Sequence, residues 1–231
     1  MKKVLFILSF VFLLASCHDW QSLGKFDSNL DEGNEGTYVL QQDQLFVENA
    51  ENNNEYTFST NNKNFVSSTG STFFTTKFFC NQGTLSVDVK KFTGSETAGY
   101  GIVFARKHKT SSEYNEDEHD QMYVFMINNS QSYLFGKVTD SVFTELTEQK
   151  KWIQTNVISL STGYRQNLKV EESENKSGRL VFKIYINGTY VDEFIADEGV
   201  KMSNSYYGLV AVISPYENYS SSQTKIVYTL N

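Results

Sequence analysis

The densest run of side chains able to do chemistry is "SSEYNEDEHDQ", residues 111–121. Glu116, Glu118 and Asp120 alternate, and alternate residues of a strand share a face at roughly 6.6 Å of backbone separation. A retaining glycosidase needs two carboxyl groups about 5–5.5 Å apart, one as nucleophile and one as acid, so the spacing is compatible with that reaction. The surroundings are not. Asp117 and His119 stand between the three carboxylates where apolar residues would anchor the strand, and nothing nearby would desolvate a carboxyl and raise its pKa. The stretch reads as a solvated loop, and no catalytic residue is assigned from it. Asp117, Glu118 and Asp120 are also hard oxygen donors of the kind Ca²⁺ takes, and His108 and His119 would suit a transition metal. No recognised loop spacing accompanies them, so no metal or other cofactor is expected. Serine-nucleophile, zinc-protease, phosphate-loop and dinucleotide motifs do not occur.

Aromatic side chains are the second chemical resource: 14 Tyr, 18 Phe and two Trp. Sugar rings present flat C–H faces that stack on Tyr and Trp, while neighbouring amides and carboxylates bind the hydroxyls. Tyr123, Tyr133 and Trp152 are the residues expected to form such a platform, with Tyr164 a further candidate. The argument is one of alternation. In "QMYVFMI", Met122, Val124 and Met126 are assigned to the core. Tyr123 and Phe125 then occupy the opposite face, beside Tyr133 and Phe135 of "SYLFGKV". That second face is either covered by a loop or open as an aromatic groove. The competing reading is that large aromatics of a β protein are core residues.

The N-terminus locates the protein. Lys2 and Lys3 precede an apolar run from Val4 to Ala15, too short to span a bilayer but of signal-peptide length. Leu14-Ala15-Ser16-Cys17 follows and resembles the lipobox of bacterial lipoproteins. That resemblance implies removal of residues 1–16 and acylation of Cys17, with the protein held to a membrane of the bacterial cell envelope by its acyl chains. A thioether at Cys17 leaves Cys80 without a partner. Flanked by aromatics in "TKFFCNQG", Cys80 reads as a buried small hydrophobe. The formal net charge is −7, and processing would remove two lysines and no acids. Nucleic acid is therefore not an expected partner, nor is a polybasic lipid-binding patch present.

Residues 17–36 mix Gly, Asn, Asp and Glu without period and read as the lipidated N-terminus and a tether. From 37 to 231 the pattern is β: short runs rich in Tyr, Phe, Thr and Val, divided by Asn/Ser/Gly clusters. "LSVDVKKF" sets Leu85, Val87 and Val89 against Ser86, Asp88 and Lys90. "LVFKIYING" sets Phe182, Ile184 and Ile186 against Val181, Lys183 and Tyr185. Asn187-Gly188 then gives a two-residue hairpin signal. The only stretch with a hint of helical period is "SVFTELTEQKKW". Many strands with short links in one domain predict two packed antiparallel sheets.

The order of segments resembles the concanavalin A-like, laminin G-like jelly rolls of bacterial extracytoplasmic proteins. It rests on "GYGIVFAR", "YVFMINNSQSYLFGKV", Trp152, "NVISLSTGYRQNLKVE", "LVFKIYINGTYVDEF" and "YYGLVAVI", spanning roughly residues 80 to 213. The resemblance implies an all-β jelly-roll sandwich shared by glucanases, lectins and adhesion modules, and fold of this kind does not carry function. The expectation is a non-catalytic, lectin-like domain that binds glycan or another surface ligand. The alternatives are a divergent hydrolase of laminarinase-like fold using Glu116 to Asp120, and a structural or adhesion module contacting protein. The acidic segment resembles the Glu-x-Asp-x-Glu strand of laminarinase-type enzymes, but runs Glu-x-Glu-x-Asp.

Overall fold

The computed structural model describes residues 45–59, 71–106, 121–139, 142–148, 151–213 and 224–231. Fifteen strands make up almost all of its regular structure: β1 (Phe46–Asn49), β2 (Asn52–Ser59), β3 (Ser71–Phe74), β4 (Phe78–Cys80), β5 (Thr84–Thr93), β6 (Tyr100–Arg106), β7 (Gln121–Asn128), β8 (Ser132–Thr139), β9 (Val142–Glu145), β10 (Ile153–Gln154), β11 (Gln166–Glu174), β12 (Leu180–Ile186), β13 (Thr189–Ile195), β14 (Ser205–Ile213) and β15 (Lys225–Leu230). The segment with a hint of helical period contributes the short strand β9 instead.

The strands form two antiparallel sheets. One is seven-stranded, in the order β1-β2-β15-β5-β11-β12-β13. The other is eight-stranded, in the order β10-β8-β7-β6-β14-β3, with β4 also pairing β14 and β9 also pairing β8. Alternation along the seven-stranded sheet falls as expected: Val87, Val89, Phe182, Ile184 and Ile186 are fully buried against the opposite sheet. Asn187 (φ 52°) and Gly188 (φ 79°) close the β12–β13 hairpin with the positive φ pair that a primed turn requires. Asn187 also donates from its amide to the carbonyl of Val157 at 2.7 Å and to Gln166 Oε1 at 2.7 Å, so the turn is pinned to the start of β11.

The intersheet core is built on rings. Phe104 of β6 meets Phe182 of β12 edge-on at 5.2 Å, and Phe135 of β8 stacks on Phe194 of β13 at 4.0 Å and 3°. At one end of it lies a buried lysine. Lys91 runs its stem inward, donates from Nζ to the carbonyls of Ser95 and Ala98, and sits over the Tyr100 ring at 5.4 Å. Hydrogen bonds to carbonyls are what make a buried ammonium tolerable. Cys80 is free and buried, as expected for an inert thiol; burial pushes its pKa up.

Candidate functional site

The two faces of β7 are the reverse of the sequence expectation. Tyr123, Phe125 and Ile127 belong to the intersheet core. Met122, Val124 and Met126 face the other way, into a second apolar cluster on the outer side of the eight-stranded sheet. The register explains the choice. Tyr123 lies opposite Phe104 of β6, and Phe125 opposite Ile102 of β6 and Phe135 of β8. The bulk of the adjacent strands is therefore on that side, meeting Phe182 and Phe194 across the sandwich.

The stacking platform expected of Tyr123 and Tyr133 is corrected accordingly. Tyr123 is 0 % exposed and Tyr133 5 %, and neither ring stands on an outer face. Each hydroxyl is used at the margin of the core. The amide of Asp197 donates to Tyr123 Oη at 2.8 Å, and Tyr133 Oη donates to Asp192 Oδ2 at 3.0 Å, tying β8 to β13. Burial, together with the Asp197 carboxylate, pushes the Tyr123 phenol up to about 12. Burial, with the Asp192 charge, raises Tyr133 as well. Neither would ionise at neutral pH.

Trp152 is the one of the three that stands on the outer side of this sheet. Half-buried, it packs against the second cluster. A Cβ added at Gly99 would lie 2.9 Å from its ring and 3.1 Å from Met126 Sδ, so the indole rests on a surface that glycine makes flat. Phe143 of β9 does the same over Gly136, where an added Cβ would stand 2.5 Å from the ring. Central outward positions of four strands are Val103 on β6, Val124 on β7, Leu134 on β8 and Val210 on β14, all buried. Polar groups appear at the rim beside Trp152. Gln154 of β10, exposed, donates to Ser132 Oγ at 2.7 Å. Asn128 Oδ1 accepts from the amides of Ser130 and Ser132, both at 3.0 Å. The outer face is thus covered rather than open: its central side chains are closed to solvent, two rings lie over it, and amide side chains stand at one end, where Gln154 is exposed.

A second polar group closes the core near Tyr123. Asp197 Oδ2 accepts from Lys137 Nζ at 2.7 Å and from Gln121 Nε2. Burial alone would raise this carboxyl, but the hydrogen bonds from Lys137 and Gln121 and the Lys137 charge outweigh it and hold its pKa below the ordinary aspartate value. Asp197 follows β13, its partners come from β7 and β8, up to 76 residues away in the chain, and no local pattern signals their meeting. The cluster is a cation, an amide and a carboxylate that neutralise one another, so it braces the sandwich and leaves no reactive group over.

Tyr164 is 56 % exposed but lies in the turn before β11, at the end of the seven-stranded sheet, and does not join Trp152. Cys17 and the segment containing Glu116, Glu118 and Asp120 lie outside the described residues. Among the described residues no group of three His, Cys, Asp or Glu is placed to hold a metal ion.

No protein-family model and no curated protein matches the chain. Solved structures do match. A glycoside hydrolase family 16 endo-glucanase from Bacteroides ovatus superimposes with a TM-score of 0.51 over 80 % of this chain and 84 % of its own, at 7 % identity. A lichenase derived from a mouse hindgut metagenome gives 0.47 over 87 % and 91 %, at 10 % identity. Sheep galectin-11 gives 0.36 over 71 % and 94 %, at 10 % identity. At such identities the likeness is one of fold alone: the domain is an antiparallel jelly-roll sandwich of the concanavalin A-like type.

Proposed function

We propose that this protein is a lipoprotein of the bacterial cell envelope, acylated at Cys17, whose jelly roll binds glycan without cleaving it. The observation that carries the binding half is the outer side of the eight-stranded sheet. Trp152 is half-buried over an apolar layer that is itself closed to solvent, and beside it the exposed amide of Gln154 donates to the buried Ser132 hydroxyl, so the ligand would meet the Trp152 and Gln154 edge of the face. An indole face takes the C–H face of a sugar ring, and an amide that can exchange a hydroxyl partner for a sugar hydroxyl provides orientation.

Residue chemistry supports binding over hydrolysis. Cleaving a glycosidic bond requires two carboxyl groups facing each other across the substrate. Along this face Val124, Leu134, Val103 and Val210 hold the central positions, Glu145 of β9 lies beside Phe143 in register with Gly136, and the carboxylates of the described core margin, Asp192 and Asp197, are engaged by Tyr133 and Lys137. Protein contact through the same face is the second outcome to be tested.

The test is a glycan panel probed with the unacylated Cys17→Ser protein and with Gln154→Ala. Gln154 is exposed, so its truncation should change stability by no more than about 0.5 kcal/mol while weakening retention several-fold. Undiminished retention would move the site away from Trp152. No retention on any glycan would reject the glycan reading.

A further inference from the structure

The seven large hydrophobic side chains most exposed among the described residues are not spread evenly. Four of them, Val47, Phe92, Leu160 and Tyr164, at 59, 40, 63 and 56 % exposure, lie toward one end of the seven-stranded sheet. Phe92 sits in the bulge of β5 where Lys225 pairs with Thr93 and Ile226 with Lys91. The turn before β11 folds onto it. Gly163 (φ 72°) donates its amide to the carbonyl of Lys91 at 2.8 Å, and an added Cβ there would stand 3.2 Å from the Phe92 ring. Leu160 and Tyr164 flank that turn. Two cations border the patch: Lys225, whose Nζ is 5.6 Å from the Phe92 ring centre, and Arg165, whose Nε is 3.3 Å from Asp88.

The same end receives the chain. Phe46, the first residue of β1, pairs with Phe58, and the next pairs across the sheet are Ser59 with Lys225 and Lys225 with Thr93. The polypeptide arriving from Cys17 therefore enters three strands away from Phe92, about 14 Å at the usual strand spacing. Twenty-eight residues lie between Cys17 and Phe46. Even fully extended, a chain of that length reaches no more than about 100 Å, so the acylated membrane stays within reach of this end.

We infer that this end of the sandwich is a membrane-docking surface: Phe92, Leu160 and Tyr164 insert at the headgroup level of the bilayer that holds the Cys17 acyl chains. The inference rests on the acylation proposed above. Aromatic and aliphatic side chains with nearby cations are the composition that an interfacial contact uses. Because Asp88 offsets Arg165 and the protein as a whole carries net charge −7, apolar insertion supplies the attraction. Docking is then retained on zwitterionic lipid. It would orient the sandwich with this end down and leave the opposite end of the sheets toward the aqueous side.

The test uses the acylated protein reconstituted into phosphatidylcholine vesicles, with and without phosphatidylglycerol. Single cysteines at Leu160, Tyr164 and Ile195 carry an environment-sensitive dye, and the protein with only its buried Cys80 serves as the blank. Ile195, the last residue of β13, is 46 % exposed and pairs with Val181, at the end of the sheet opposite the patch. The expected result is flotation with the vesicles, blue-shifted and brighter emission at positions 160 and 164, and water-like emission at 195, on both lipid compositions. Flotation with water-like emission at all three positions overturns docking alone. An equal shift at position 195, or a shift seen only with anionic lipid, overturns the assigned surface and its apolar basis respectively. Protein that does not float overturns the acyl anchor, and the docking inference with it.

Discussion

The hydroxyl of Tyr123 shows how much depends on single atoms at the margin of the core. Its ring is fully buried against Phe182 at 5.0 Å, and its oxygen accepts the Asp197 amide. Tyr123→Ala removes the ring and leaves a cavity, which should cost about 3–5 kcal/mol, the range for core aromatic truncations. Tyr123→Phe keeps the volume and loses the acceptor for the Asp197 amide at 2.8 Å and for Gln121 Nε2 at 3.4 Å, a cost of about 1–2 kcal/mol. Chemical denaturation of both variants checks the pair, and equal costs would mean that packing is not what holds this ring. Asp197 gives a pH signature. Its folded-state pKa lies below the unfolded value of about 3.9, so its contribution is present above that value and is lost as pH falls through the folded pKa. Asp197→Asn should therefore show a flatter stability profile below about pH 4 than the parent. Parallel acid profiles would show that Lys137 and Gln121 contribute nothing through this carboxylate. Of the aromatic residues that sequence alone suggested for a binding platform, only Trp152 lies on the outer side of the eight-stranded sheet. Tyr123 and Tyr133 sit on a strand pair buried on both faces, where alternation gives no sign of which face meets the other sheet.

At the scale of elements, the sign that would have resolved those faces is present in β6 and β8. Gly99 and Gly101 alternate with Tyr100, Ile102 and Phe104, and Gly136 shares its face with Leu134 and Val138. Glycine marks the side on which another ring or backbone must approach closely. On β8 that ring is Phe143 of β9. Gly136→Ala would drive a methyl group to 2.5 Å from Phe143 and 2.8 Å from the Thr144 carbonyl, displacing β9 at a cost of about 1–3 kcal/mol. Combining it with Phe143→Leu should recover part of the loss, since the ring and not only the backbone is in the way. A melting curve for Gly136→Ala that matches the parent would show that β9 is not packed on this face. Strands with one buried face were legible throughout, as in β5 and β12, and so was the Asn187-Gly188 turn, because period two and turn chemistry are local. Face choice in β7 and the meeting of Gln121, Lys137 and Asp197 were not, because both depend on partners distant in sequence.

For the molecule as a whole, the two-sheet sandwich could be read from patterning because strands such as β11 and β12 repeat the same local alternation. The site could not, because side chains serve core and ligand with the same aromatic vocabulary. The acyl anchor is a separate prediction. Cys17→Ser removes the thiol that would carry the lipid, so labelled fatty acid should no longer be incorporated and the protein should leave the detergent phase; equal labelling of parent and variant would end that reading. The central claim is that the domain holds glycan without hydrolysing it. Its most direct measurement quantifies bound ligand and released reducing ends together, on whichever glycan the panel retains and on β-glucans. The Cys17→Ser protein is compared with the same protein also carrying Glu116→Gln, Glu118→Gln and Asp120→Asn. The account predicts saturable binding, no release of reducing ends and no difference between the two proteins. Reducing ends that appear with the first protein and vanish with the second would contradict it, and would assign the acidic segment the role of a catalytic pair.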